Sequence, residues 1–206
     1  MACASMRTDG GMSPALARPR GLWALVAAAA LALCAPHVAG AQTFGANDAP
    51  FLNLVGDLEG PAGFGDVYDG VPFLPPAALD AMTIGQVLHY QRDILEDGTV
   101  SSAVARYQFL HDTLVALVDR LDLHEDLVFD GEVQTYLARH LMAGCGFYEP
   151  SVEVDALGDC LAGIWAALPL LSGPEAGRSV YEGIAGNKAL IDPETVRQVL
   201  ADRFAW

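Results

Sequence analysis

Glu59 is the residue of this sequence whose position best suits acid chemistry. It ends a stretch of apolar residues at helical spacing, and the helix-stopping residues Gly60 and Pro61 follow it. A carboxylate in the last turn of a helix faces the negative end of the helix dipole, and burial by Phe51, Leu58 and the following loop would disfavour its charged form further. Both effects raise the pKa of Glu59, so that it can protonate a leaving oxygen. The alternative is a solvated glutamate beside a helix stop.

Other common catalytic and cofactor motifs do not occur in the sequence. There is no G-x-S-x-G nucleophile motif and no phosphate-binding loop, and "GFGDVY" lacks the third glycine of a dinucleotide loop. The histidines that follow residue 41 form no pair at ligand spacing with a third ligand; they are His89, His111, His124 and His140. The sequence therefore predicts no metal site and no cofactor.

Apolar periodicity predicts six helices that would carry and position Glu59. The first would be capped by Asn47 or Asp48 and would end at Glu59. The second opens with Thr83 and has Gln86 three residues later, which is a capping box. The remaining helices are predicted over residues 111–121, from Asp130 to Gly144, over residues 151–168, and from a cap at Asp192 with Pro193 in the first position.

Residues 62–82, between the first two helices, are rich in Gly, Pro and Asp and lack sustained periodicity. They predict a long irregular segment or a small hairpin, and long ordered loops in compact domains usually have a function. We therefore expect one α+β, predominantly helical domain with a small irregular or β-containing lobe between its first helices. A monomer is expected because no surplus apolar stripe is visible.

Residues 1–41 have the features of a secretory signal peptide. Three arginines precede an apolar run from Gly21 to Cys34, and the small residues of "AGAQ" suit cleavage between Ala41 and Gln42. The run is shorter than the roughly 20 apolar residues that a transmembrane helix needs. We therefore expect a secreted or periplasmic domain, residues 42–206, with no stable membrane span after cleavage. Lipidation at Cys34 is left open.

The charge of the chain limits which binding partners are expected, and its cysteine content bears on whether a disulfide forms. The formal net charge is -15, and Lys188 is the single lysine, so no basic cluster exists that could neutralise phosphates. Nucleic acid and anionic membrane surfaces are therefore not expected as partners. Cys145 and Cys160 remain after the signal, and an even number of cysteines in an exported protein predicts one disulfide. The alternative is two buried free thiols.

Three segments in order give the chain a family resemblance. They are "LVGDLEGPAGFGDVYDGV", "SSAVARYQFLHDTL" and "LAGIWAALP", with "AMTIGQVLHYQ" and the Gln134-containing "VFDGEVQTYLARHL" between them. Together they resemble the lysozyme-like superfamily, in particular the phage lambda-type endolysins, which are lytic transglycosylases, and related muramidase-like proteins. The resemblance covers nearly all of residues 51–204, and it implies a lysozyme-like single domain that cleaves peptidoglycan glycan strands.

The resemblance also implies roles for individual residues. Glu59 would be the catalytic acid, and Arg106, Tyr107 and Gln108 would line the glycan cleft opposite it, together with Tyr68. A tyrosine ring suits the apolar face of a sugar, and an amide suits its acetamido and hydroxyl groups. Ala105 departs from the family pattern, which usually has glycine there. A methyl group therefore stands where the backbone is expected to turn tightly.

Three reactions are compatible with this arrangement. Lytic transglycosylation needs no second carboxylate, because the 6-hydroxyl of N-acetylmuramic acid attacks within the same molecule while Glu59 acts as acid and then as base. A hydrolytic muramidase would need Asp66 or Asp69 as a second carboxylate, about 5 to 5.5 Å from the acid for retention and farther for inversion. The third alternative is a lysozyme-fold protein that binds glycan without cleaving it. We favour transglycosylation because the lambda-type relatives resemble that case.

Overall fold

The computed structural model describes residues 44–67, 70–184 and 186–205. The chain divides into two units at the junction of Ala41 and Gln42, and the predicted signal peptide lies outside the described residues. The described residues form six α-helices: α1 Ala49–Glu59, α2 Ile84–Glu96, α3 His111–Arg120, α4 Gly131–Gly144, α5 Val154–Ala162 and α6 Pro193–Ala201. Short 3-10 helices cover Leu79–Ala81 and Asp202–Phe204. The described residues contain isolated bridges but no sheet, so the predominantly helical prediction is confirmed.

Side-chain caps begin α2, α4 and α6. The Thr83 hydroxyl accepts a hydrogen bond from the Gln86 backbone N–H at 3.3 Å, and the Gln86 side chain accepts one from the Thr83 backbone N–H at 2.9 Å. Asp130 and Asp192 accept backbone N–H groups in the first turns of α4 and α6. These bonds satisfy donors that a helix start leaves unpaired. The predicted capping box at Thr83 and the predicted cap at Asp192 are confirmed.

Asp48 precedes α1 but does not cap it. Its carboxylate is buried and accepts two hydrogen bonds from the Arg139 guanidinium, at 2.7 and 3.0 Å, and one from the Tyr148 hydroxyl at 2.9 Å. Asp48 therefore stands at the predicted N-cap position, but the capping hydrogen bond from its side chain is not formed. A two-pronged charged partner offers the buried carboxylate stronger bonds than backbone N–H groups do. The result is that the start of α1 is fixed to α4.

The helix α5 is shorter than predicted. The expected helix over residues 151–168 begins only at Val154 and ends at Ala162. Gly163 follows and has a low helix propensity, and its N–H bonds back into the last turn with an i to i+3 hydrogen bond that tightens the helix end. The segment 163–168 is therefore free to turn toward α1, which the predicted helix would not have allowed.

The segment between α1 and α2 is irregular where the structure describes it. It consists of turns, the 3-10 helix Leu79–Ala81 and one antiparallel bridge from Val67 to Val104. The bridge places this segment beside residues 101–110, which lie between α2 and α3. These two irregular stretches therefore meet, and they contribute buried residues such as Val104 and Phe109 to the core.

The core is rich in aromatic residues. The largest buried rings are Phe51, Phe109, Phe129, Phe147 and Trp165. The Trp165 indole donates a hydrogen bond to the Tyr107 carbonyl at 3.1 Å and packs edge-on against Phe51 with ring centroids 5.9 Å apart. Trp165 and Phe109 are thus core residues. The indole also links the turn after α5 to the segment before α3.

A disulfide joins Cys145, directly after α4, to Cys160 in the last turn of α5. It closes a loop with a sequence separation of 15 residues and fixes the end of α5, from which the 163–168 turn departs. None of the helices in the described ranges is long and apolar enough to cross a bilayer.

Removal of this disulfide should lower the free energy of unfolding. Closing a loop of 15 residues restricts the unfolded chain by about 3 kcal/mol in the chain-entropy model. The double variant Cys145→Ala, Cys160→Ala should lose roughly that amount in urea denaturation. Addition of a thiol reductant should destabilise the wild type to the same extent and leave the variant unchanged. Equal urea midpoints for the oxidised wild type and the variant would contradict the prediction.

Candidate functional site

Glu59 is the last residue of α1, and its side chain is partly buried. Its carboxylate oxygen Oε1 accepts a hydrogen bond from the Ala167 backbone N–H at 2.8 Å. Burial raises the pKa of Glu59 above its ordinary value, because the charged form loses hydration, and the bond from Ala167 opposes this by stabilising the carboxylate. The raised pKa agrees in direction with the sequence prediction. Glu59 therefore has the environment of a proton donor.

Glu59 faces a cavity of about 150 Å³ that is open to solvent on one side. Three segments meet around it: the residues before α3, the turn after α5, and the irregular segment before α6. The walls combine hydroxyl and amide groups with apolar surface, and they are formed by Glu59, Ser101, Ala103, Gln108, Leu110, Ile164, Trp165, Ala166, Tyr181 and Asn187. Among the described residues of this wall, Glu59 is the single carboxylate.

The backbone after Glu59 lies directly against the turn at Ala105. A Cβ atom built on Gly60 would lie 2.7 Å from both Cα and the carbonyl oxygen of Arg106, and 2.9 Å from the carbonyl oxygen of Ala105. The Ala105 N–H donates to the Asp66 carbonyl at 2.6 Å. The absence of a side chain at Gly60 is therefore what allows the acid loop to reach the turn.

The turn itself contains two residues with left-handed backbone conformation. Ala105 has φ 68° and Gln108 has φ 48°. For an L-residue this conformation costs roughly 1–2 kcal/mol, and glycine would avoid the cost. The tight turn that was expected at Ala105 is present, and the alanine occupies it. Hydrogen bonds between Val104 and Phe109, at 3.2 and 2.9 Å, close the turn at its base.

The successive side chains of the turn point to different places. Gln108 lines the cavity with Glu59, as the resemblance implied. Its Nε2 donates to the Ala105 carbonyl at 3.0 Å, which orients the amide and leaves its Oε1 as an acceptor. Gln108 is therefore the residue of the predicted Arg-Tyr-Gln set that the structure brings to the acid.

Arg106 does not line this cavity, so the expectation that it lines the glycan cleft opposite Glu59 is wrong. Its guanidinium pairs with Asp57 of α1 at 3.0 Å and lies over the Phe64 ring, 5.6 Å from the centroid. A Cβ atom at Gly56 would collide with the guanidinium at 2.3 Å, so the side chain lies flat on α1. Arg106 thus holds α1 against the turn.

The expectation that Tyr107 lines the glycan cleft is also wrong, because its ring is not presented to a ligand. The residue is only 3% exposed, its ring packs edge-on against Phe64 and Phe109, and its hydroxyl lies 3.3 Å from the Thr135 hydroxyl. The tight turn directs its side chain inward while that of Gln108 points outward. Tyr107 is therefore a core residue.

Of the two candidates for a second carboxylate, the structure describes only Asp66. Asp66 is half-buried, and its carboxylate accepts the Ala62 backbone N–H at 3.1 Å within its own turn, as expected of a turn residue. It does not form part of the cavity wall. Tyr68 and Asp69 lie outside the described residues. In the described ranges, no group of three His, Cys, Asp or Glu residues could hold a metal ion.

Tyr181, Asn187 and the Ala167 N–H are features of the site that the sequence reasoning missed. The Tyr181 hydroxyl donates to the Gly163 carbonyl at 2.5 Å, and the Asn187 backbone closes a small loop with Gly183 and Ile184. The signal in the sequence was the long stretch between α5 and α6 without helical periodicity, a type of loop that often carries function.

No family model, curated protein or solved structure matches this chain. Its function is therefore inferred from the geometry of the cavity and from the residues that form it.

Substitution of Gly60 should be far more harmful than substitution of its near neighbour Gly65. The Gly60→Ala methyl would overlap backbone atoms of Ala105 and Arg106, whereas a Cβ atom at Gly65 meets nothing within 4 Å. Gly60→Ala should lower the free energy of unfolding by about 1–3 kcal/mol, as overpacking does. Gly65→Ala should change it by no more than about 0.5 kcal/mol. Chemical denaturation of both variants tests this, and equal effects would contradict the close contact.

Glu59→Gln should stabilise the protein at neutral pH. Burial raises the pKa of Glu59 in the folded state, so wild-type stability falls as pH rises from the unfolded carboxyl pKa, about 4.3, through the higher folded value. The amide of the variant carries no charge, keeps an acceptor for the Ala167 N–H and does not lose this stability. Thermal unfolding should therefore favour the variant at pH 7, with the difference vanishing at acid pH.

Glu96→Gln is the matched control, because Glu96 also ends a helix but is exposed. Its pH dependence of stability should follow that of the wild type. A stability gain in Glu96→Gln equal to that in Glu59→Gln would show that position at a helix end, and not burial, accounts for the effect.

Proposed function

We propose that this protein cleaves peptidoglycan glycan strands between N-acetylmuramic acid and N-acetylglucosamine by lytic transglycosylation, with Glu59 as general acid and then general base. We further propose that residues 42–206 form a lysozyme-like domain, with the segment between α1 and α2 as its small lobe, and that the domain is secreted or periplasmic. The observation that carries the proposal is a partly buried carboxylic acid of raised pKa in a mixed polar and apolar cavity.

The environment of Glu59 suits both halves of the reaction. In the first half, the protonated acid gives its proton to the glycosidic oxygen as the bond to C1 of N-acetylmuramic acid breaks. The carboxylate then formed is stabilised by the Ala167 N–H, 2.8 Å from Oε1. In the second half, this carboxylate takes the proton of the 6-hydroxyl while that oxygen bonds to C1. The product is a 1,6-anhydro sugar, and Glu59 is protonated again.

The single carboxylate in the described cavity wall favours this route over hydrolysis. A hydrolase needs a second carboxylate to act as a nucleophile or to activate water. Asp66 is bonded to its own turn and does not form part of the wall. An internal hydroxyl needs no such group, because its attachment to the same sugar supplies a high effective concentration.

The other wall residues offer groups that a sugar can use. The Oε1 atom of Gln108 and the side-chain amide of Asn187 can accept or donate hydrogen bonds to acetamido and hydroxyl groups. Ile164 and Leu110 supply apolar surface for the C–H face of a pyranose, and Tyr181 offers part of its ring. The cavity therefore matches an N-acetylated sugar in the types of groups it presents.

Product analysis on purified peptidoglycan tests the proposal. Mass spectrometry should detect muropeptides that end in 1,6-anhydro-N-acetylmuramic acid, and Glu59→Gln should lower their rate of formation by about 10²- to 10⁴-fold, because the amide has no proton to transfer. Glu96→Gln, the exposed control, should keep the wild-type rate.

Other products would reject the proposal in recognisable ways. Reducing ends that disappear in Asp66→Asn or Asp69→Asn would indicate a hydrolase with that residue as the second carboxylate. Binding of peptidoglycan without any product would indicate a glycan-binding protein. Undiminished cleavage by Glu59→Gln would show that another residue is the acid.

A further inference from the structure

Gln134 is a buried residue whose side-chain amide bonds to both segments that meet next to Glu59: the loop after Glu59 and the Ala105–Arg106 turn. It lies in the first turns of α4 and is 0% exposed. Its Oε1 accepts the backbone N–H of Arg106 at 3.3 Å, and its Nε2 donates to the carbonyls of Phe64 at 3.0 Å and Phe129 at 2.8 Å. Both amide protons and the carbonyl oxygen are therefore used, each by backbone from a different segment.

Two of these segments determine where Glu59 lies. Phe64 belongs to the loop that leaves Glu59, and Arg106 belongs to the turn on which Gly60 packs. A single side chain on α4 thus bonds to both the acid loop and the turn. The third bond, to Phe129, joins the amide to the backbone just before α4.

We propose that Gln134 is a positioning residue for Glu59, holding the acid loop and the Ala105–Arg106 turn together so that the carboxyl stays partly buried in the cavity. Gln134 is not among the residues of the cavity wall, so it acts through the backbone and not on a ligand. The catalytic part of this inference rests on the proposed function of Glu59. The structural part does not.

Gln91 is a second buried amide at this turn, but it does not bond to the loop after Glu59 as Gln134 does. It is also 0% exposed, and its Nε2 donates to the carbonyls of Ser102 and Phe109, both at 2.8 Å. Both partners lie in the turn segment, and neither lies in the loop after Glu59. Gln91 therefore supports the base of the turn, whereas Gln134 couples the turn to the acid.

The test replaces Gln134 with methionine, which has a similar length but no amide. A carbon-13 NMR titration of the Glu59 carboxyl should show its pKa falling from the raised wild-type value toward the ordinary one, since the separated loop admits water. The rate of anhydromuropeptide formation should fall about tenfold to a hundredfold, as a misplacement of about 1 Å can cause, with a smaller change in KM.

Arg203→Met is the matched control for loss of a buried donor. Arg203 is 4% exposed and donates to the carbonyls of Phe147 and Leu200, away from the cavity. It should lower the melting temperature while leaving the Glu59 pKa and the cleavage rate at wild-type values. An unchanged Glu59 pKa in Gln134→Met, or an equal downward shift in Arg203→Met, would overturn the proposal.

Gln134→Glu provides a second variant in case Gln134→Met does not fold. Burial should keep the new carboxyl protonated, so it retains one acceptor and one donor and loses a single hydrogen bond. Because one bond is lost, the Glu59 pKa in this variant should fall part of the way from the wild-type value toward the ordinary one, and the cleavage rate should fall less than in Gln134→Met. An unchanged Glu59 pKa in folded Gln134→Glu would overturn the proposal. If the wild type releases no products, the proposed function fails, and the NMR titration still decides whether Gln134 positions Glu59.

Discussion

The site depends on a contact between two stretches of main chain. The backbone at Gly60 lies so close to the backbone of Ala105 and Arg106 that no side chain fits between them. Because Glu59 directly precedes Gly60 in the chain, its position follows from this contact. Arg106 reinforces the contact through Asp57, and Gln134 does so through Phe64. The location of the carboxyl is therefore set by backbone geometry that buried polar groups maintain.

Two opposing influences then act on the Glu59 carboxyl. Burial disfavours the carboxylate, and the Ala167 N–H favours it, with burial the larger. The combination suits a group that must give up a proton and then recover one. The helix end contributes in the same direction as burial.

The sequence predicted what depends on local pattern and missed what depends on tertiary contacts. Thr83 with Gln86, and Asp192, cap helices because capping needs only residues a few positions apart. Glu59 was found because a helix stop follows it directly. The family resemblance implies a place for Tyr107 in the cleft, but the direction of its side chain depends on the left-handed conformation at Ala105. Asn187 was missed because nothing local shows which cavity a long loop will border.

The early end of α5 is what makes the cavity possible. The turn after Ala162 gives the Ala167 N–H to Glu59, the Gly163 carbonyl to the Tyr181 hydroxyl and the Ala166 carbonyl to the Ser179 hydroxyl. A helix continued through residue 168 would have paired the Ala167 N–H with the Gly163 carbonyl in its own hydrogen bonds. Glu59 and the loop that carries Ser179 and Tyr181 are therefore both bonded to one short turn, and the disulfide at Cys160 fixes the helix end from which that turn departs. The acid and the loop opposite it are thus placed by the same few backbone groups, so that a shift of the turn would move both together.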